Sequence, residues 1–289
     1  MTNRKDTLPV MVGNLKIGGS DNVILQSMTT TKTHDIKATL KQIEELVNEG
    51  CQIVRVAVLG LPDAEALPTI VKESPVPIVA DIHFNFNFAL MAADAGCAKI
   101  RINPGNIGIE ENVIKVVEKC REKNIPIRIG VNSAHIGITE AGSLLSGAIK
   151  SSFGLGVLLF NGIGSTIRIS LAEDPVLEIK VAKRLLNSLG LYENIVEVIA
   201  CPTCGRLEYD IRTVVQEIEE YTEKLNFPLK IAILGCVVNG PGEASQADIG
   251  IAGGKDGGII FKKGKIFKTV HQDLLVSELK TLIDEYYIN

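Results

Sequence analysis

Short β-branched runs alternate with amphipathic stretches over the first two-thirds of the chain. Residues 23–28, 53–58, 76–84, 98–103, 125–132, 135–140 and 165–171 read as strands. Between them, apolar positions at helical spacing mark 36–49, 63–73, 88–95, 110–123, 143–161 and 175–189. Near-continuous apolar strands alternating with helices indicate parallel pairing, with both sheet faces covered. Helix stops stand at Glu49-Gly50, Ala95-Gly96 and Asn161-Gly162, before the next strand. Two of these joints repeat a phrase, Glu-Gly-Cys-Gln-Ile-Val-Arg and Ala-Gly-Cys-Ala-Lys-Ile-Arg, the mark of a repeated βα unit.

The pattern changes after Leu191. A strand at 195–200 precedes Cys-Pro-Thr-Cys, then come a helix at 209–224 and a strand at 229–234. A glycine-rich turn, 235–242, leads to a strand–turn–strand reading over 258–270 and a closing helix, 273–287. The expectation is two domains, a (β/α) unit over 1–192 and a smaller α+β module over 193–289.

Composition narrows the function. Apolar residues make up 46% of 289, ample for a packed core, and mean hydropathy is +0.22. The longest apolar stretches, 154–160 and 231–238, fall short of the ~18–20 residues a bilayer span needs. The first twelve residues lack a signal-peptide apolar region, so a cytoplasmic protein is expected. A net charge of −4 with no Trp disfavours a nucleic-acid partner. Six cysteines are too sparse for a disulfide scaffold and read as buried thiols or metal ligands.

Four arginines stand where arginines are rare. Arg55, Arg101, Arg128 and Arg168 each sit inside an apolar strand, in four different βα units. One such residue is explained by a structural ion pair with some carboxylate. Four at strand ends that converge on a ligand site make a cationic basket, and paired phosphates suit its planar forks. Polar companions occupy the same strands: Gln26, Ser27, Asp81, His83, Asn103, Asn132, Thr139 and Ser170. Glu140, ending the 135–140 strand, is the candidate general acid. Asp81 and His83, two apart, are either an acid–base pair or a histidine held by its neighbour.

Cys201 and Cys204 are three apart, and Cys236 ends a later strand. Three thiolates plus Glu243 suit a [4Fe–4S] cluster better than structural zinc, which wants four nitrogen or sulfur ligands. A thioredoxin-like reading is weakened by Cys236 and by the missing helix after Cys201. Cys51, Cys97 and Cys120 read as core thiols.

Several phrases are more specific. Ile24-Leu-Gln-Ser-Met-Thr29, Val79-Ala-Asp-Ile-His83, Arg101-Ile-Asn-Pro-Gly-Asn106, Gly137-Ile-Thr-Glu-Ala-Gly142, Ala200-Cys-Pro-Thr-Cys204 and Gly235-Cys-Val-Val-Asn-Gly-Pro-Gly-Glu243 resemble the 4-hydroxy-3-methylbut-2-enyl diphosphate synthase family. The resemblance runs from about Leu15 to the C-terminus. It implies a TIM-type barrel followed by a cluster domain that caps the barrel of a dimer partner. It also implies reductive ring opening of 2-C-methyl-D-erythritol 2,4-cyclodiphosphate, with electrons from ferredoxin or flavodoxin. By the same resemblance Cys201, Cys204, Cys236 and Glu243 would be cluster ligands, Glu243 the exchangeable one. Arg55, Arg101, Asn103, Arg128, Asn132, Arg168 and Ser170 would bind substrate, and Glu140 would stand near the reacting carbons.

One departure stands out. The family places another βα unit, carrying a substrate-facing lysine in a Lys-Ala-Ser phrase, between the Gly-Val-Asn and Gly-Ile-Thr-Glu strands. Here Gly130-Val-Asn-Ser runs directly into Ala134-His-Ile-Gly-Ile-Thr, and that lysine has no counterpart. Two residues cannot make a parallel crossover, which needs a dozen or more. The expected fold is therefore a (β/α) barrel lacking about one βα unit. Two rival functions follow: an internally deleted paralogue that binds cluster and diphosphate without efficient turnover, and a pterin-type barrel synthase with a zinc module.

Overall fold

The computed structural model describes the chain apart from residues 1–3, 104–106, 108, 130–141, 205, 237–246, 255–256 and 289. Asn132, Glu140, Glu243 and the strand expected over 135–140 lie outside the described residues. The chain divides into two units, Met1–Leu191 and Tyr192–Asn289. Among the described residues no helix is long and apolar enough to cross a membrane.

The first unit opens with a hairpin, β1 (Val10–Val12) and β2 (Leu15–Ile17). The βα alternation follows: β3 (Ile24–Met28), α1 (Ile36–Asn48), β4 (Ile53–Val58), α2 (Leu61–Glu73), β5 (Ile78–Ile82) and α3 (Phe86–Asp94). It continues through β6 (Lys99–Ile102), α4 (Glu110–Glu122), β7 (Ile127–Ile129), α5 (Leu144–Phe160), β8 (Thr166–Ile167) and α6 (Pro175–Ser188). These strands form one parallel sheet in the order β7-β6-β5-β4-β3-β8. Pairing of β8 with β3 is the order of a (β/α) barrel, whose full ring has eight strands, and the described residues hold six.

The repeated joints have a physical cause. Gly50 (φ 101°) and Gly96 (φ 85°) adopt a left-handed conformation just past α1 and α3. The next amide then reaches back five residues, Cys51 N–H to Leu46 O and Cys97 N–H to Ala92 O, closing each helix and turning the chain into its strand. Cys51, Cys97 and Cys120 are buried, as the sequence suggested, and burial pushes their thiols up to about 11, 12 and 11. The opening hairpin was absent from the sequence reading. Its three-residue strands are too short for a pattern, yet Val12 is buried against Ile24, Ile53 and Val79.

In the second unit, β9 (Val196–Ala200), α7 (Ile211–Thr222), β10 (Leu229–Leu234) and β11 (Ile249–Ala252) precede a hairpin, β12 (Gly258–Lys262) and β13 (Lys265–Val270). Helix α8 (Leu275–Ile288) follows. The sheet order is β13-β12-β11-β10-β9, parallel from β9 to β11 and antiparallel beyond. Ile231, Ile233, Ile249 and Ile251 pack with Ile218 of α7 and Leu279 and Ile283 of α8. Strand β11 was not anticipated, because its four residues, Ile-Gly-Ile-Ala, are too few to show a pattern and include a glycine.

Candidate active site

Parallel register aligns the inward-facing side chains in rows. Met28, Arg55, Val79 and Lys99 form one row across β3, β4, β5 and β6. Ala57, Asp81, Arg101 and Arg128 form the next, nearer the carboxyl ends. Residues two apart on a strand share a face, so the arginines of three strands meet on one side of the sheet. Their charges act on one another: Arg55 feels Arg168, Arg101 and Arg128. Burial first, and then these three like charges against Asp81, pull the Arg55 guanidinium down to about 10. Desolvation first, with Arg101 and Arg168 adding to it, lowers Arg128, which stands on β7, the last strand of the sheet among the described residues.

One carboxylate ties this group together. Asp81 is 2% exposed; it accepts a 2.8 Å hydrogen bond from Arg101 Nη1 and lies 3.3 Å from Arg55 Nε. Its distance to His83 Nε2 is 3.6 Å, too long for a hydrogen bond, so Asp81 serves the arginines rather than an acid–base pair. The structural ion pair weighed for a single arginine is thus real for two of the four. Arg168 differs, because its Nε is buried without a hydrogen-bond partner among the described residues. A buried guanidinium N–H without an acceptor is costly, and a bound anion would satisfy it.

Asn103 is buried just past β6, and Ser170 is partly buried two residues after Arg168. Ser27 is a correction. It faces away from the arginine rows, with its hydroxyl donating to Glu178 Oε2 of α6 at 2.8 Å. Glu178 also accepts from Leu171 N at 3.1 Å, and burial raises its carboxyl despite both bonds. Lys99 was missed altogether. It sits two residues before Arg101, partly buried, and desolvation followed by Arg128 pulls its amine down to about 8. The signal was present as Ala-Lys-Ile-Arg-Ile, two cations on one strand face.

The second constellation lies where adjacent parallel strands end. Cys201 follows β9 and its amide donates to Ile233 O at 3.2 Å, extending the pairing with β10. The Cys201 sulfur accepts the Gly235 amide at 3.2 Å. Cys236 is buried one residue later, Cys204 is exposed, and none of the three is in a disulfide. Three free thiols at two neighbouring strand ends, one already receiving an N–H, are a donor set suited to iron and sulfide. Among the described residues no three His, Cys, Asp or Glu side chains already stand in metal-binding geometry.

Comparison with known proteins bears on both constellations. The sequence model of the GcpE TIM-barrel domain matches in two stretches, 7–134 and 132–183, and the GcpE protein C-terminal domain matches 197–285. A relative from Malacoplasma penetrans (strain HF-2), named 4-hydroxy-3-methylbut-2-en-1-yl diphosphate synthase (flavodoxin), is 50% identical over 349 aligned positions. That alignment takes in 99% of this chain and 96% of the relative. A second from Mycoplasmoides gallisepticum, with the same name, is 47% identical over 350 positions, 99% of this chain and 98% of the relative. Since 349 positions are aligned against 289 residues, at least 60 positions have no counterpart here. The barrel match breaks at 132–134. Among solved structures, 7,8-dihydropteroate synthase from Vibrio fischeri ES114 matches at a TM-score of 0.35 and 13% identity, over 79% of this chain and 78% of that one. The matches in both units, at about half identity along nearly the whole chain, establish that this chain belongs to the GcpE family.

Proposed function

We propose that this chain catalyses the reductive ring opening of 2-C-methyl-D-erythritol 2,4-cyclodiphosphate to 4-hydroxy-3-methylbut-2-enyl diphosphate, with loss of water. Four arginines converging on one sheet face, one with an unsatisfied buried Nε, carry this reading. A cyclic diphosphate presents two adjacent anionic groups, and the guanidinium forks of Arg55, Arg101, Arg128 and Arg168 engage them. Asp81 orients Arg55 and Arg101 before the substrate arrives. Asn103, Asn132 and Ser170 hydrogen-bond the sugar-derived carbons' oxygens, and Glu140 supplies the proton for the departing oxygen. Their places at strand ends in the sequence and the motif resemblance support these assignments.

Cys201, Cys204, Cys236 and Glu243 would hold a [4Fe–4S] cluster, which when bound supplies electrons one at a time to the substrate. The donor is flavodoxin, the protein that the relatives' names carry, and the chain works as a cytoplasmic homodimer. Anaerobic reconstitution tests the reading. About four irons per chain and turnover of the cyclic diphosphate are expected, and Cys204→Ser should lose the iron. Stoichiometric zinc without iron would refute it. The missing 60 positions favour a second reading, a chain that binds cluster and diphosphate but turns over poorly. Full iron loading and tight diphosphate binding with little product would select it.

A further inference from the structure

One peptide unit beside Cys201 is held from both ends. The Tyr209 hydroxyl donates to Leu234 O at 3.0 Å, and the Gly253 amide donates to the same oxygen at 3.0 Å. The amide on the other end of that peptide bond belongs to Gly235, and it donates to Cys201 Sγ at 3.2 Å. Because a peptide is planar, fixing the direction of the Leu234 carbonyl fixes the direction of the Gly235 N–H. Donors on the carbonyl also polarise the amide and strengthen its own hydrogen bond.

The glycines of this arrangement are closely packed. A Cβ at Gly235 would run into Leu207 Cδ2 and stand 3.6 Å from Cys201 Sγ. A Cβ at Gly253 would collide with the ring of Tyr209, so the ring lies directly on that glycine. Glu208 N–H in turn donates to Gly235 O at 3.1 Å, closing the loop around the sulfur.

We propose that Tyr209 is a positioning residue for the iron–sulfur site, acting through the Leu234–Gly235 peptide on the Cys201 sulfur. The inference rests on the reading of Cys201 as a cluster ligand. An N–H aimed at a ligating sulfur stabilises negative charge there. The reduced cluster carries one more negative charge than the oxidised one, so this hydrogen bond favours reduction and raises the potential. Removing the phenol oxygen leaves the ring and its packing in place but takes away one of the two donors that fix the Leu234 carbonyl, leaving only the Gly253 amide.

The test is Tyr209→Phe in the full-length chain, reconstituted anaerobically with iron and sulfide beside the wild type. At equal iron content, the potential from an electron-paramagnetic-resonance-monitored titration should move to a more negative value. Equal potentials at equal iron content would overturn the proposal. A variant that loads less iron than the wild type is compared by hydrogen exchange of the Gly235 amide in the metal-free proteins. Faster exchange in Tyr209→Phe supports the positioning role, and unchanged exchange overturns it. A wild-type chain that takes up no iron would instead refute the cluster reading itself, a separable outcome.

Discussion

Neutralising Asp81 is the most direct test of how the basket is held together. Asp81→Asn preserves shape and removes the charge that Arg101 contacts at 2.8 Å and Arg55 approaches at 3.3 Å. Breaking a buried ion pair from one side costs about 3–5 kcal/mol, because the remaining charges stay buried. The amide oxygen of asparagine still accepts one hydrogen bond, which places the loss near the lower end, about 3 kcal/mol. For a unit of this size each kcal/mol moves Tm by roughly 2–4 °C, so the variant should melt about 6–12 °C lower. Inorganic pyrophosphate should narrow that gap, since it brings negative charge to arginines that have lost theirs. A ligand at 100 times its Kd adds about 2.7 kcal/mol of stability. Calorimetry of both proteins, with and without pyrophosphate, reads all four values. If Asp81→Asn melts with the wild type, or if pyrophosphate leaves the gap unchanged, the carboxylate does not balance the basket.

Three further outcomes are expected. Arg168→Leu should weaken pyrophosphate binding in titration calorimetry by about 2–5 kcal/mol without loss of iron, because its buried Nε has no hydrogen-bond partner among the described residues for an anion to displace. Lys99 has a folded-state value of about 8 against about 10.4 when unfolded, so the unfolded chain binds the extra proton between those limits. Its penalty is therefore full below pH 8 and fades as pH rises toward 10.4. Lys99→Met should melt above the wild type at pH 7 and converge with it near the upper limit; a constant difference would show that the amine is not desolvated. Inserting a family-length segment between Asn132 and His135 should raise Tm and reduce binding of an apolar dye, and no change in either would show that the gap leaves nothing uncovered.

Alternation of apolar strands and helices made the parallel sheet legible, because buried strands lack polar positions. The arginines were legible for the converse reason, since Arg55 stands between buried Val54 and Val56, and Arg101 between buried Ile100 and Ile102. What could not be read was which polar neighbour faces which way. Ser27 and Asp81 both stand beside apolar residues in strands, yet one meets α6 and the other the arginine rows. Register decides that, and register comes from pairing across the sheet rather than from spacing within one strand. The hydrogen bonds from Tyr209 and Gly235 had no signal in the sequence, since they depend on a single peptide plane.

The gap at 132–134 acts differently on the site and on the wall around it. Every βα neighbour pair from β3 to β7 is intact, and β8 still pairs with β3, so the rows that align Arg55, Asp81, Arg101 and Arg128 do not depend on the absent positions. The wall does. In a complete ring each helix lies between two others. Helix α5 packs on α6, but Leu145, Ile149, Phe153, Val157 and Phe160 all face outward and stay exposed, Phe153 and Phe160 by 80% or more. At 3.6 residues per turn these five fall within about one-third of the helix circumference, so they form one apolar stripe. On the other flank of the gap Ile129 of β7 and Ile114 of α4 are exposed as well. Fully burying one such side chain contributes about 1.5–3 kcal/mol, so leaving the stripe in water forgoes several times that. The α5 sequence is thus written for two neighbours, and the described residues supply one. Anion binding, built on row register, should survive the loss, whereas stability, which depends on covering the stripe, should fall.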